Sequence, residues 1–221
     1  MRTVGNSIGR AALVLLLLSG PALVTLPADA EPVAFKVLPN YSRATFKTDA
    51  PLETIVGTTA GPGVSGAITL DLARPETVRG VIKVDLTTVN SGVAKRDADM
   101  KGPDYLDAAN EANRYAVFEI RGAEIRGLLE PGKDTPAKVK GILTIKGKPV
   151  ETVVDARITH VKLKPAELET VKRFGYTEDV IRVRAKFQTA FTNHGMQIPQ
   201  LLTLKVSNSI ELETDLTFVR Q

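Results

Sequence analysis

VRGVIKVDLTTVNSGVAKRDADMKGPDYL at residues 78–106, followed by AVFEI at residues 116–120, decides how this chain is read. From Val78 to Leu86 the side chains alternate. Val78, Ile82, Val84 and Leu86 share one face with Gly80, and Arg79, Lys83 and Asp85 take the other. A period of two marks a strand with one buried and one wet face. AVFEI resumes that pattern. Between the two lies a charged, turn-rich piece in which Ala94–Lys101 predicts a short helix. A sheet that breaks for such a helix and then continues is the frame into which the other segments must fit.

The same alternation recurs along the chain. In Ile210–Phe218, Ile210, Leu212, Leu216 and Phe218 oppose Glu211, Glu213 and Asp215. In Val139–Ile145, Val139, Leu143 and Ile145 align with Gly141 and oppose Lys140 and Thr144. Val150–Ile158 follows after Gly147-Lys148-Pro149, the turn chemistry of a tight antiparallel hairpin. Further strands are expected at Ala34–Leu38, Arg43–Lys47, Ala67–Leu72, Val117–Ile125, Ile181–Thr192 and Leu201–Val206. Gly57–Gly66 (GTTAGPGVSG) reads as one long flexible turn. A second short helix is expected over Pro165–Arg173, with proline at its start and Gly175 past its end. Many antiparallel strands with one apolar face each must pack against a second sheet or close on themselves. Closure is the expected solution.

The first thirty residues have a different layout. Arg2 and Arg10 are basic, Ala11–Leu18 is unbroken and apolar, and Ala28-Asp29-Ala30 supplies a small-x-small site. This is the pattern of a secretory signal, with cleavage expected after Ala30 and a periplasmic or secreted destination. The apolar run is shorter than the roughly 20 residues that span a membrane, so no stable span is expected after cleavage. Residues 31–221 then suit a single domain with its own core. The whole chain carries a net charge of +4, too mild to point to nucleic acid. It has no cysteine, so packing and hydrogen bonding must supply its stability without disulfides.

Four stretches together resemble the YceI-like family of exported, lipocalin-like antiparallel β-barrels. They are Ser42-Arg43-Ala44-Thr45-Phe46; Val84–Gly92 leading to Lys95-Arg96-Asp97 and Asp104-Tyr105-Leu106-Asp107; Phe118; and the hairpin Val139–Val150. The resemblance implies an all-β, eight-stranded barrel with one or two short flanking helices. It also implies an apolar lipid partner, such as a polyisoprenoid or an isoprenoid quinone, held for carriage or sequestration. Three positions depart from the family pattern: Tyr41 replaces a usual histidine, Arg114 a usual proline, and Gly57-Thr58-Thr59 a segment that commonly carries aromatics.

An eight-stranded barrel is just wide enough for its own side chains or one small ligand, so residue size decides the outcome. Aromatics make up 5% of the chain and tryptophan is absent; Gly80, Gly141 and Ala156 are expected to leave room. The apolar lining is expected to comprise Phe46, Ile82, Val84, Leu106, Phe118, Ile120, Leu143, Ile145 and Phe187. Arg96 and Asp97 are expected at the barrel mouth as a headgroup contact or a structural latch. The alternative is a filled interior, with the outer surface serving as an envelope stress or interaction module. Arg182, Arg184 and Lys186 alternate on one strand as a solvated face or an anion-binding stripe. His160 and His194 are far apart and lack cysteine partners, so no metal site is expected. No nucleophile-elbow or phosphate-loop motif occurs, and neither catalysis nor a cofactor is expected. The monomer–homodimer question stays open.

Overall fold

A computed structural model describes Met1 and residues 31–221. The expected leader and its cleavage point lie outside the described residues. β-Structure comes as eleven segments: β1 (Val33–Val37), β2 (Arg43–Asp49), β3 (Thr54–Thr59), β4 (Val64–Leu70), β5 (Arg79–Asp85), β6 (Val89–Asn90), β7 (Tyr115–Ile125), β8 (Asp134–Ile145), β9 (Lys148–Lys162), β10 (Asp179–Ala190) and β11 (Ser209–Arg220). The ladders joining them are antiparallel. Their order runs β1-β4-β5-β7-β8-β9-β10-β11, and β11 returns to β1, so the sheet closes.

β11 also pairs with β2, β2 with β3, and β3 with β6. β1/β2, β3/β4 and β5/β6 are therefore the halves of three bent strands, and the barrel is eight-stranded. The bends lie side by side and satisfy one another. Ala60 N donates to Thr88 O at 3.0 Å and Asp85 N to Gly63 O at 2.8 Å. Buried Ser42 fills the first bend, its Oγ donating to Leu38 O at 3.0 Å and accepting from Thr217 N at 3.0 Å. A hydroxyl there replaces ladder bonds that the bend removes, which a buried backbone requires.

Two expectations fail locally. Gly57–Gly66 is not one long turn: Gly57–Thr59 completes β3, Val64–Gly66 begins β4, and only Ala60–Gly63 turns. The absence of a side chain at Gly57 is what lets the Phe46 ring lie against the backbone there, across the ladder. Leu201–Val206 is not a strand. Gln200–Leu202 forms a 3-10 turn, Lys205 N and Val206 N both donate to Leu202 O, and Leu201 is 95% exposed. Its alternating leucines have no neighbouring strand to bury them, and alternation without a partner does not make a sheet.

The two helices form where expected, as α1 (Ala94–Lys101) and α2 (Pro165–Val171). A 3-10 turn extends α2 to Phe174, and left-handed Gly175 ends it. Among the described residues no helix is long and apolar enough to cross a membrane.

Inside, one end of the barrel is packed by Phe35, Phe218, Ile181, Leu70 and Val78, all buried. The other end is packed by Leu143, Ile145 and Met196. Small residues stand at one level between them: Ala137, Ala156, Ala185, Thr214 and Ala44 are successive cross-strand partners from β8 to β2. A bulge in β7 between Ile120 and Gly122 shifts the register, which lets Phe118 and Ile120 before it, and Ala123 and Ile125 after it, all pack on the core.

Gly141 and Gly80 do not leave open room. A Cβ on Gly141 would stand 2.5 Å from Glu119 O and 2.6 Å from Phe118 Cζ, and one on Gly80 would meet Ala67 O. Phe118 itself fills the space over Gly141. Gly141→Ala is therefore expected to cost about 1–3 kcal/mol through overpacking, read as a lowered urea midpoint; an unchanged midpoint would show that both the Phe118 ring and the Glu119 backbone can shift to admit a side chain.

Candidate functional site

The barrel encloses a cavity of about 220 Å³ whose wall is almost wholly apolar. Phe46 from β2, Ile82 and Val84 from β5, and Phe118 and Ile120 from β7 contribute to it. Leu143 and Ile145 from β8, Phe187 from β10, and Leu106 after α1 complete the set expected from the sequence. All nine side chains thus line one space. Ala44, Ala156, Ala185 and Thr214 of the small-residue level line it too. Where these side chains stop short, the opposite wall does not reach, and the volume remains. Phe118 and Phe187 face one another at 6.3 Å between ring centroids.

The lining residues not foreseen include Met100 on α1, and Phe191 and Met196 in the loop between β10 and β11. Met196 is 1% exposed. The loop has no period of two, so alternation could not reveal which of its side chains turn inward. Its only sequence signal was an apolar residue amid polar neighbours.

The strand pairing of the wall is incomplete at two places. The β9–β10 ladder ends at Asp155 and Lys186, so Lys148–Val154 pair with β8 alone and Phe187–Ala190 with β11 alone. The β5–β7 ladder ends at Asp85 and Tyr115. Beyond it the chain continues into β6, which pairs with β3 alone, and residues 91–114 cross the gap. Met100, Leu106 and Ala108 close it from above by packing on Leu86 and Val89. Arg114 pins the fork, with Nε and Nη2 donating to Asp85 Oδ2 at 3.1 and 2.8 Å.

Arg96 and Asp97 hold this crossing in place rather than facing the cavity. Arg96 Nη1 donates to Glu53 Oε1 at 2.6 Å, in the turn between β2 and β3, and its Nε to Ser91 Oγ at 2.8 Å. Asp97 Oδ1 accepts from Ser91 N at 2.8 Å and Ser91 Oγ at 2.6 Å. These Ser91 bonds hold the Asp97 carboxyl below its ordinary pKa. Neither residue lines the cavity. Of the two roles expected for the pair, the geometry is that of a latch.

A sequence profile of the YceI-like domain matches residues 35–218. The chain belongs to the YceI-like family. Solved structures with this fold include BcnA of Burkholderia cenocepacia, with TM-score 0.58 and 15% identity over 80% of this chain and 95% of that one. A polyisoprenoid binding domain from Saccharophagus degradans, implicated in plant cell wall breakdown, has TM-score 0.62 and 16% identity over 86% and 99%. The YceI protein of Campylobacter jejuni has TM-score 0.56 and 19% identity over 75% and 84%. No curated protein matches the sequence.

The departures of this YceI-like chain at Tyr41 and Arg114 fall away from the cavity. Tyr41 packs at 5.1 Å on Tyr176 and 6.4 Å on Phe174. Arg114 pairs with Asp85 and lies over the Tyr115 ring. At the third, Gly57 serves to seat Phe46.

A larger concavity of about 1250 Å³ runs across the charged faces of β7 to β11 and β2. Its walls are charged, and most of the charges answer one another. Lys138 meets Asp155 at 2.6 Å, Arg184 meets Asp134 at 2.6 Å, and Lys186 meets Glu211 and Glu213 at 2.8 and 2.9 Å. Arg182 forks onto Asp215 at 3.0 and 2.6 Å. The stripe Arg182, Arg184 and Lys186 is thus neutralised within the sheet, and the enclosed apolar space is the better candidate site.

The two histidines are structural. His194 is buried, its Nδ1 facing Lys148 O at 3.2 Å and its Nε2 accepting from Thr189 Oγ1 at 2.9 Å; burial pushes its pKa down. His160 Nε2 and Asp179 Oδ1 are 3.0 Å apart, and Arg220 Nη1 donates to Asp179 Oδ2 at 3.0 Å. Among the described residues no three His, Cys, Asp or Glu side chains gather as a metal site would require.

Burial pushes the Asp179 pKa up, but hydrogen bonds from His160 and Arg220 outweigh it and leave the carboxyl below its ordinary value. A depressed carboxyl pKa stabilises the fold above the unfolded value of about 3.9, and that stability is lost as pH falls through the folded value. Asp179→Asn is expected to lose about 1–3 kcal/mol at pH 7. The gap to wild type should narrow below about pH 4 in urea titrations; a gap constant with pH would refute the assignment. At the latch, Glu53 is 38% exposed, so solvent discounts the pair and Arg96→Ala should cost about 1 kcal/mol. Amides of α1 should then exchange roughly fivefold faster with β8 and β9 unaffected, whereas uniform acceleration would show that the latch supports the whole barrel.

Proposed function

We propose that this YceI-like protein is a periplasmic lipid-binding protein that holds an apolar, isoprenoid-type chain inside its barrel, for carriage or sequestration and without a catalytic step. The observation that carries the reading is the enclosed cavity, with an almost wholly apolar wall and a latched crossing over the gap where β5 and β7 part. The fold shared with a polyisoprenoid binding domain supports it, as does the secretory pattern of residues 1–30. Each methylene-sized group brought into such a space contributes roughly 0.8 kcal/mol. About ten groups therefore offset the cost of association with a modest surplus, and no specific polar contact is needed. The unfilled volume weighs against a solid interior acting only through its surface.

The test is to express the protein in a lipid-containing host, purify it, extract it into organic solvent and analyse the extract by mass spectrometry. A prenyl lipid recovered from wild type, and lost from a variant whose cavity is filled by Ala156→Leu, is the expected result. Extracts free of lipid from both proteins would count against the reading.

A further inference from the structure

The lipid-binding reading rests on the cavity, and the cavity's size limits what it can hold. We propose that the barrel encloses only a short segment of its ligand, about two isoprene units. The remaining chain and any polar group stay outside.

The volume is about 220 Å³. A dry protein cavity of about 150 Å³ holds one benzene ring of six carbons, so in proportion this one holds about nine carbons. The space has little means of growing. Hydrogen-bonded ladders run round the barrel from β1 to β11 and back, which fixes the radius. At the far end the wall is made by Leu70, Val78, Ile181 and Phe218, all buried.

The ladders are open where β5 and β7 have parted, with Met100 and Leu106 as the cover, and where β9 and β10 have parted, with Phe191 and Met196 lining the cavity from the loop after β10. Carbons beyond the first nine or ten must pass there, against half-buried side chains or water, and gain little. The nearly uninterrupted apolar wall also bears on orientation. A hydroxyl or carbonyl drawn inside would lose its water without finding a partner, so an amphiphile enters tail first.

The probes are geraniol, farnesol and geranylgeraniol, with ten, fifteen and twenty carbons, each displacing N-phenyl-1-naphthylamine from the intact protein below its own aggregation concentration. Five further carbons fully buried would tighten Kd by roughly a thousandfold. The proposal expects each step of the series to change Kd by less than about thirtyfold, the logarithmic midpoint between no gain and full burial. A larger gain at either step would overturn it by showing that the barrel swells. Ala156→Leu should weaken geraniol binding at least about tenfold while cooperative melting persists, with Ala185→Val as the second variant should the first not fold. Unchanged geraniol binding in a folded variant would overturn the placement. Displacement by none of the alcohols would remove the lipid-binding reading itself, whereas a steep gain with length leaves that reading standing and removes only the limit.

Discussion

The radius of a closed eight-stranded sheet is the constraint on which the rest of this structure depends. Once the ladders meet, the interior is only about as wide as two facing layers of side chains, and whether space remains is decided level by level. Phe35 and Phe218 belong to the buried cluster at one end, where Phe218 is part of the cavity wall. Ala137, Ala156, Ala185, Thr214 and Ala44 form a level of the wall that cannot fill the middle. The cavity is thus a product of side-chain volume on a fixed frame. Aromatic rings work against it where they can: Phe46 covers Gly57 and Phe118 covers Gly141. A glycine in this wall marks a place where a ring lies flat or a backbone comes close, which is why counting small residues alone overstates the room.

Strands with one wet face were legible in the sequence because water enforces alternation. Ile210–Phe218 and Val139–Ile145 show it, and the side chains that line the cavity follow from the same parity. Parity failed where the backbone stopped being regular. The bulge between Ile120 and Gly122 changes register without changing composition. The bends at residues 39–41, 60–63 and 86–88 divide three strands into six short segments, and Gly57–Gly66 therefore resembled a loop. Leu201–Val206 erred in the other direction, since its alternation has no partner strand. Met196 belongs to that irregular stretch and was invisible for the same reason.

The charged crossing that first set this chain apart is an architectural device. Arg96, Asp97, Ser91 and Glu53 form a small network that ties α1 to the rim of β2 and β3, and Arg114 with Asp85 ties down the point where β5 and β7 part. Polar groups here fix the position of apolar ones: the network places Met100 and Leu106 over the gap. The departures at Tyr41 and Arg114 are absorbed on the outside of the wall, so the chain can differ from its relatives there while the interior follows its own side-chain sizes.

The seam of the barrel joins the beginning of the domain to its end. β11, residues Ser209–Arg220, shares one edge between β1 and β2 while β10 holds the other. Loop closure across nearly the whole domain must precede any benefit from these contacts, which makes such a topology slow to fold. Until Ser209–Arg220 is available, β1 and β2 each lack one of their two neighbours and the apolar inner face stays open to water. Completion of the container therefore waits on the last strand of the barrel, and a ligand met before that moment would meet an open sheet rather than a barrel.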